Sequence, residues 1–148
     1  SDIVPRIVAV RKENVKYEGT VTYNINNAST ESLNVLENTT LVDGIGGVTW
    51  DGALILCQVI EKMVTNSAAD LHVLELGCGT GLCGAVAAKM GCKSTITDRS
   101  ADLAKLNVDL ISSVPGVPLN IEVYDMPWES SFATASDRPT SMDAEGDE

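Results

Sequence analysis

The alternation of apolar and polar positions divides this chain into three predicted parts. Residues 1–42 are rich in valine, isoleucine and tyrosine, which favour β-strands, and we expect an N-terminal β extension there. Residues 43–129 alternate between short apolar runs and longer segments with the spacing of amphipathic helices. Residues 130–148 are polar, with five acidic side chains against one arginine, and predict a disordered acidic tail.

Strands are predicted within the β extension over residues 3–10, 15–25 and 33–42, and Gly19 offers a turn. A glycine-rich stretch at residues 44–47 then interrupts the strand pattern.

A helix follows, with Asp51 as its predicted N-cap and an end near Asn66. Its polar positions form one narrow stripe, so the rest of the helix surface is expected to be buried. The stripe consists of Gln58, Glu61, Lys62 and Thr65.

The central part then repeats strand and helix in turn. Strands are predicted at residues 72–76, 93–97 and 119–124, and helices at residues 81–90 and 101–113. Such alternation implies right-handed crossovers and a parallel sheet, so the predicted fold class is α/β.

The charge of the chain argues against nucleic acid as a partner. The net charge is -11, and the ten lysine and arginine residues are scattered rather than clustered. A strongly acidic protein without a basic patch repels phosphate backbones. A basic protein, or a protein that presents a lysine, suits this charge better.

The cysteines do not form a metal-binding pattern. Cys57, Cys78, Cys83 and Cys92 include no Cys-x-x-Cys pair, and His72 is the only histidine, so we expect no zinc site. Reduced, buried thiols are typical of a cytoplasmic or nuclear protein. We also find no signal-peptide pattern and no apolar run long enough to span a bilayer, so no membrane partner is expected.

The strongest chemical signal is a glycine loop between a strand and a helix. The segment Leu74-Glu75-Leu76-Gly77-Cys78-Gly79-Thr80-Gly81 has the order that holds S-adenosylmethionine. Glycines let the backbone turn sharply and approach a ligand, and the following helix directs N–H groups and partial positive charge at it. The carboxylate of the ligand would be received there, and Glu75 could meet its ammonium group.

Asp98 ends the next predicted strand and therefore lies beside the loop at the carboxyl edge of the sheet, where it can accept hydrogen bonds from ribose hydroxyls. A dinucleotide site is the alternative, because Gly79 to Gly84 also matches G-x-G-x-x-G. The strand is expected to end at Leu76, however, which makes Gly77 the first turn glycine and places Leu82 where that motif needs a small residue. This favours S-adenosylmethionine over NAD.

From residue 44 to residue 128 the chain resembles the seven-strand class I S-adenosylmethionine-dependent methyltransferases, and most of all the methyltransferase-like 21 and valosin-containing-protein lysine methyltransferase group. The resemblance rests on Gly46 to Leu54, Glu75 to Gly81, Thr97 to Arg99 and Met126 to Trp128. It implies a Rossmann-like fold and a set of cofactor contacts. Those are Trp50 at the cofactor border, Gly77, Cys78 and Gly79 at its methionine end, Asp98 at the ribose, and Trp128 against the adenine.

Each of these residues also has a purely structural interpretation. Trp50 and Trp128 could be core residues. Asp98 could cap the following helix, and Glu75 could pair with a neighbouring charge.

The resemblance implies methyl transfer from S-adenosylmethionine to a lysine of a protein substrate, such as a chaperone or an AAA ATPase. In the family, a fourth strand ending in an Asp-x-x-Tyr or similar motif lies beside the acceptor lysine. Asp137 is followed by Arg138-Pro139-Thr140 and does not match that motif, so no catalytic residue is assigned. We therefore expect the C-terminal half of the fold to be missing and the sheet to have an exposed edge. A catalytically inactive binding module of the same fold and an NAD-dependent oxidoreductase remain as alternatives.

Overall fold

A computed structural model describes residues 16–25, 32–42, 44–64, 68–114 and 119–128. The strand predicted at residues 3–10 and the tail predicted at residues 130–148, with Asp137 in it, lie outside the described residues.

The N-terminal region forms an antiparallel hairpin. Strand β1, Glu18–Asn24, pairs with strand β2, Ser32–Asn38, along their whole length. The turn predicted at Gly19 is wrong, because Gly19 lies inside β1 opposite Glu37. A Cβ at this position would collide with the ring of Tyr17, so glycine makes room for that side chain.

The hairpin packs on the helical layer and shares its core. Val21, Tyr23, Leu33 and Val35 alternate inward along the two strands and join one buried cluster with residues of all three helices. β2 also runs beside the third helix. The hairpin is therefore an integral part of the fold.

The central region is a three-stranded parallel sheet with helical crossovers, which confirms the predicted α/β fold class. Its strands lie in the spatial order β3, β4, β5. The elements are β3 His72–Leu76, α2 Leu82–Lys89, β4 Lys93–Asp98, α3 Asp102–Ser112 and β5 Ile121–Asp125. Short 3₁₀ helices at Gly44–Gly47 and Ala68–Asp70 complete the described elements.

Helix α1, Asp51–Met63, packs against α2 and departs from the sequence prediction in two ways. Its N-cap is Trp50, without a side-chain cap hydrogen bond, so the cap predicted at Asp51 is wrong by one residue. The predicted polar stripe is also wrong, because Glu61 is buried and accepts a hydrogen bond from the Tyr23 hydroxyl. Several apolar side chains are exposed instead. These are Ile55, Leu56, Val59 and Met63.

The two faces of the three-stranded sheet are covered unequally. Ile96, fully buried, packs against Ala104 and Val108 of α3. On the other face Leu74 and Leu76 are exposed. The second edge of β3 has no strand partner among the described residues. None of the described helices combines the length and apolar character needed to cross a membrane.

Candidate functional site

The glycine loop begins where the sequence predicted, directly after β3 ends at Leu76. Gly77, Gly79 and Gly81 have φ angles of 75°, 53° and 81°, which side-chain-bearing residues rarely adopt. The alternation of these angles folds the chain into a tight turn between strand and helix. The residue types of the motif are therefore required by the backbone itself.

Hydrogen bonds within the protein fix this loop at the carboxyl edge of the sheet. The N–H groups of Gly77 and Cys78 both donate to the carbonyl of Thr97 in β4, at 2.8 and 2.9 Å. Gly81 N–H donates to the Cys78 carbonyl at 2.8 Å. These amides are already paired, so the loop offers a ligand mainly its shape and the positive end of α2.

Asp98 ends β4 and faces the loop. Its Oδ2 accepts the Gly79 N–H at 2.8 Å, and its Oδ1 is 3.4 Å from the N–H of Ser100. It does not cap α3, whose N-cap is Ala101. The Ala101 N–H is instead bound by the Asp125 carboxylate at 2.8 Å. A carboxylate accepts more than two hydrogen bonds, so Asp98 keeps acceptor capacity toward the cleft.

Glu75 lies within β3, with its carboxylate turned under the loop. Oε2 accepts the Gly84 N–H of α2 at 2.9 Å. Burial raises the pKa of Glu75 to about 7, against a smaller opposing effect of the hydrogen bonds from Gly84 and Cys83. No ion pair of Glu75 forms within the described part of the chain, so the interpretation as a simple charge partner is not supported.

Neither tryptophan is a core residue. Trp50 is 47% exposed, and its Nε1 donates to the Ile45 carbonyl at 3.1 Å. Trp128 is 57% exposed and follows β5. A Cβ built on Gly77 would lie 3.8 Å from Trp128 Cζ2, so this indole lies against the first turn of the loop. Both rings are placed where a flat ligand could stack on them.

A cleft of about 1250 Å³ joins these elements. One wall is the segment that enters α1, with Trp50, and the other is formed by β3, the glycine loop and Asp98. Glu75, Gly77, Cys78 and Gly79 all line it. The structure thus brings six of the seven predicted cofactor residues to one cleft and places the seventh, Trp128, against its loop. Their contact with a cofactor stays a prediction.

Sequence reasoning missed a buried hydroxyl pair that joins the two walls. Thr49 Oγ1 and Thr80 Oγ1 lie 3.1 Å apart, and both residues are buried. Two threonines far apart in sequence carry no local signal for such a contact.

The cysteines are free and buried, as predicted. Cys57 Sγ and Cys83 Sγ lie 3.9 Å apart between α1 and α2. The hydrogen bond to Cys57, together with burial, raises the pKa of Cys83, and burial raises the pKa of Cys78 to about 12. Thiols held protonated in this way are poor nucleophiles, so they fill space rather than supply chemistry.

Comparison with known proteins identifies relatives of one kind. The sequence model of the lysine methyltransferase family matches residues 27–143. Protein N-lysine methyltransferase METTL21A of Danio rerio is 38% identical over 86 residues, which is 57% of this chain and 39% of that protein. The Xenopus tropicalis protein of the same name is 38% identical over 90 residues, covering 60% and 41%. EEF1A lysine methyltransferase 3 of Mus musculus is 36% identical over 72 residues, covering 49% and 31%. The chain thus spans about two fifths or less of the length of these relatives.

Proposed function

Because this chain belongs to the lysine methyltransferase family, we propose that it forms the cofactor-binding part of an S-adenosylmethionine-dependent protein-lysine N-methyltransferase. The observation that carries the proposal is the 2.8 Å hydrogen bond between Gly79 N–H and Asp98. It joins the glycine loop and the acidic strand end at the carboxyl edge of adjacent parallel strands, where ligands of such sheets bind.

The residues of the cleft suit the parts of this cofactor. The two glycines at 77 and 79 leave space for its methionine end, and Asp98 has spare acceptor capacity for the ribose hydroxyls. The indole of Trp128, exposed beside Gly77, offers a stacking surface for the adenine. Burial raises the pKa of Glu75 to about 7, and a ligand ammonium nearby would favour its charged form.

When bound, S-adenosylmethionine would supply a methyl group activated by its positively charged sulfur. A neutral lysine amine would attack the methyl carbon in line as the carbon–sulfur bond breaks, and S-adenosylhomocysteine would be the leaving group. The cleft residues hold and orient the donor, and Trp50 borders the mouth of the cleft. Alignment of donor and acceptor accounts for much of the rate in such a transfer. No described residue is assigned a role in proton removal from the lysine.

The proposed acceptor is a lysine on a protein. The names of the relatives specify lysine methylation, and one of them specifies EEF1A. A chaperone or an AAA ATPase is the class of substrate we favour, and the net charge of -11 suits a lysine-rich surface. We also propose a cytoplasmic location, with the nucleus as the alternative, which four free buried cysteines support.

Titration calorimetry with S-adenosylhomocysteine tests the cofactor assignment. We expect the 148-residue chain to bind and Asp98→Ala to lose at least about tenfold in affinity, the loss typical of a charged hydrogen-bonding group. Asp98→Asn keeps an acceptor for Gly79 N–H but removes the charge. Comparing its affinity with that of Asp98→Ala separates the loss of hydrogen bonds to the ribose from the loss of support for the loop. Asp109→Ala on the exposed side of α3 is the matched control and should bind like the wild type. A folded chain that shows no binding heat would rule the assignment out.

Transfer of radiolabelled methyl groups to a cell lysate tests the activity. Label on protein lysines, produced by this chain alone, excludes the inactive-module alternative. Cofactor binding without transfer would support that alternative. Titration with NADH, followed by its fluorescence, tests the oxidoreductase alternative on the same sample.

A further inference from the structure

Glu37 of β2 lies buried at the end of the hairpin and holds the segment that carries Trp50. Only 2% of Glu37 is exposed. Its Oε1 accepts the Thr49 N–H at 2.8 Å, and its Oε2 accepts the Tyr17 hydroxyl at 2.9 Å. Thr49 directly precedes Trp50, so this carboxylate fixes the backbone at the entrance of α1.

Asn107 of α3 performs the corresponding task for the opposite wall of the cleft. Its side chain, 1% exposed, lies between β2 and the glycine loop. Oδ1 accepts the Leu36 N–H at 2.7 Å, and Nδ2 donates to the Leu36 carbonyl at 3.0 Å, as a neighbouring strand would. Nδ2 also donates to the Thr80 carbonyl at 2.9 Å.

The two walls meet at the hydroxyl pair of Thr49 and Thr80, 3.1 Å apart. The path from the hairpin to the cleft is therefore closed: Glu37 holds Thr49, Asn107 holds Thr80, and the two threonines hold each other. Close packing supports the same path, because a Cβ on Gly47 would lie 2.6 Å from the Asn38 carbonyl at the end of β2.

We propose that Glu37 and Asn107 are positioning residues of the cofactor cleft, and that the N-terminal hairpin is thereby part of the cofactor site. This inference rests on the proposed function. Neither side chain lines the cleft, so both act through Thr49 and Thr80. An apolar side chain at either position would leave buried backbone groups unpaired, and the loop would be free to shift.

Asn107→Asp is the principal test. The aspartate keeps an acceptor for Leu36 N–H and loses both donors, so an oxygen faces the carbonyls of Leu36 and Thr80. A displacement of about 1 Å in a site that aligns its reactants lowers the reaction rate by up to about 100-fold. We expect affinity for S-adenosylhomocysteine to fall at least about tenfold, and amide hydrogens of residues 77–83 to exchange faster in the ligand-free chain.

Val35→Ala is the matched control. Val35 is fully buried in β2, beside the residues under test, and has no polar contact with the loop. Measured at a temperature where both variants are folded, it should lose stability without a change in affinity or in loop exchange. A purely structural role for Asn107 would make the two variants behave alike.

Two further variants keep the inference testable if Asn107→Asp does not fold. Thr49→Val is nearly isosteric and removes only the hydroxyl pair, and we expect a fall of about threefold in affinity, the scale of one neutral hydrogen bond. Glu37→Gln keeps an acceptor for Thr49 N–H and should bind nearly as the wild type, whereas Glu37→Leu should not.

The outcomes separate this inference from the function on which it rests. A wild-type chain that does not bind S-adenosylhomocysteine overturns the proposed function, while loop exchange in the ligand-free variants still reports positioning. Wild-type binding that is unchanged in Asn107→Asp, Thr49→Val and Glu37→Leu, with unchanged loop exchange, overturns the positioning role alone.

Discussion

The two faces of the three-stranded sheet carry the same strands in very different surroundings. On the face toward α2 and α3, Ile96 is fully buried and Glu75 has its carboxylate hydrogen-bonded beneath α2. On the opposite face Leu74 is 63% exposed and Glu122 is exposed, although each lies one residue from the covered side. The difference follows from the alternation of side chains along a strand.

The elements that hold the cleft in place therefore all lie on the covered side of the sheet. α2, which continues the glycine loop, packs on the covered face, and the hairpin reaches the loop through α3. On the open face Leu74, Leu76 and Tyr124 are exposed, and the second edge of β3 has no strand partner among the described residues. A substitution on the covered face should therefore lower the unfolding free energy much more than one on the open face of the same sheet. The size of that difference shows how exposed the open face is in solution.

The largest contrast is expected between Ile96→Ala and Leu74→Ala. Loss of a large buried side chain should lower the unfolding free energy of the Ile96 variant by about 4 kcal/mol. Removal of the exposed Leu74 side chain should change it by less than about 0.5 kcal/mol. Urea denaturation of both variants gives the two values. Equal losses would mean that the open face is covered in solution, for example by a second copy of the chain.

The second contrast is between the carboxylates of Glu75 and Glu122. Burial raises the pKa of Glu75 from 4.5 to about 7, so the folded state binds this proton more tightly than the unfolded state. The resulting stabilisation is complete below pH 4.5, falls as the pH rises to about 7, and changes no further above that.

Glu75→Gln keeps an acceptor for Gly84 N–H and removes this titration. Relative to the wild type, its unfolding free energy should rise by about 3 kcal/mol from acid pH to pH ~8 in the ligand-free chain. Glu122→Gln, which neutralises an exposed carboxylate on the open face, is the control variant. Denaturation at a series of pH values measures both, and parallel curves for all three proteins would contradict a buried Glu75.

The sequence predicted the central part of the fold well because its signals are local. Short apolar strands, glycines that the loop backbone requires, and helices of ordinary length placed β3 to β5 within one or two residues of the structure. The sequence also predicts that Asp98 faces the loop, because the carboxyl ends of adjacent parallel strands meet, and its Oδ2 accepts a hydrogen bond from Gly79 N–H.

Which helix faces are buried was predicted poorly, because burial there depends on contacts between residues far apart in the chain. Glu61 and Asn107 lie in helices where polar residues normally face solvent, yet both are buried against the hairpin. Leu106 and Leu110 of α3 are partly exposed, because the core lies on the side of the helix that carries Asn107. Asn107 and Leu36 are 71 residues apart, and no local pattern specifies that pairing.

The smallest contrast is expected between two glycine-to-alanine substitutions. A Cβ on Gly84 would collide with Ile96 Cγ2 and lie 3.1 Å from Ser94 Oγ on the covered face. Ile96 is β-branched and cannot turn its methyl group away easily. Overpacking costs about 3 kcal/mol and the gain in helix propensity offsets about 1, so Gly84→Ala should lose about 2 kcal/mol.

Gly52, in the first turn of α1, provides the opposite case. Nothing lies within 4 Å of a Cβ built there. Gly52→Ala should therefore gain about 0.5 to 1 kcal/mol, because alanine restricts the unfolded chain and favours the helix. Thermal and urea denaturation of the pair give the sign of each change. A lower unfolding free energy in Gly52→Ala would show that the entrance of α1 is packed against something in solution. The first turn of α1 would then belong to the covered surfaces rather than to the open ones.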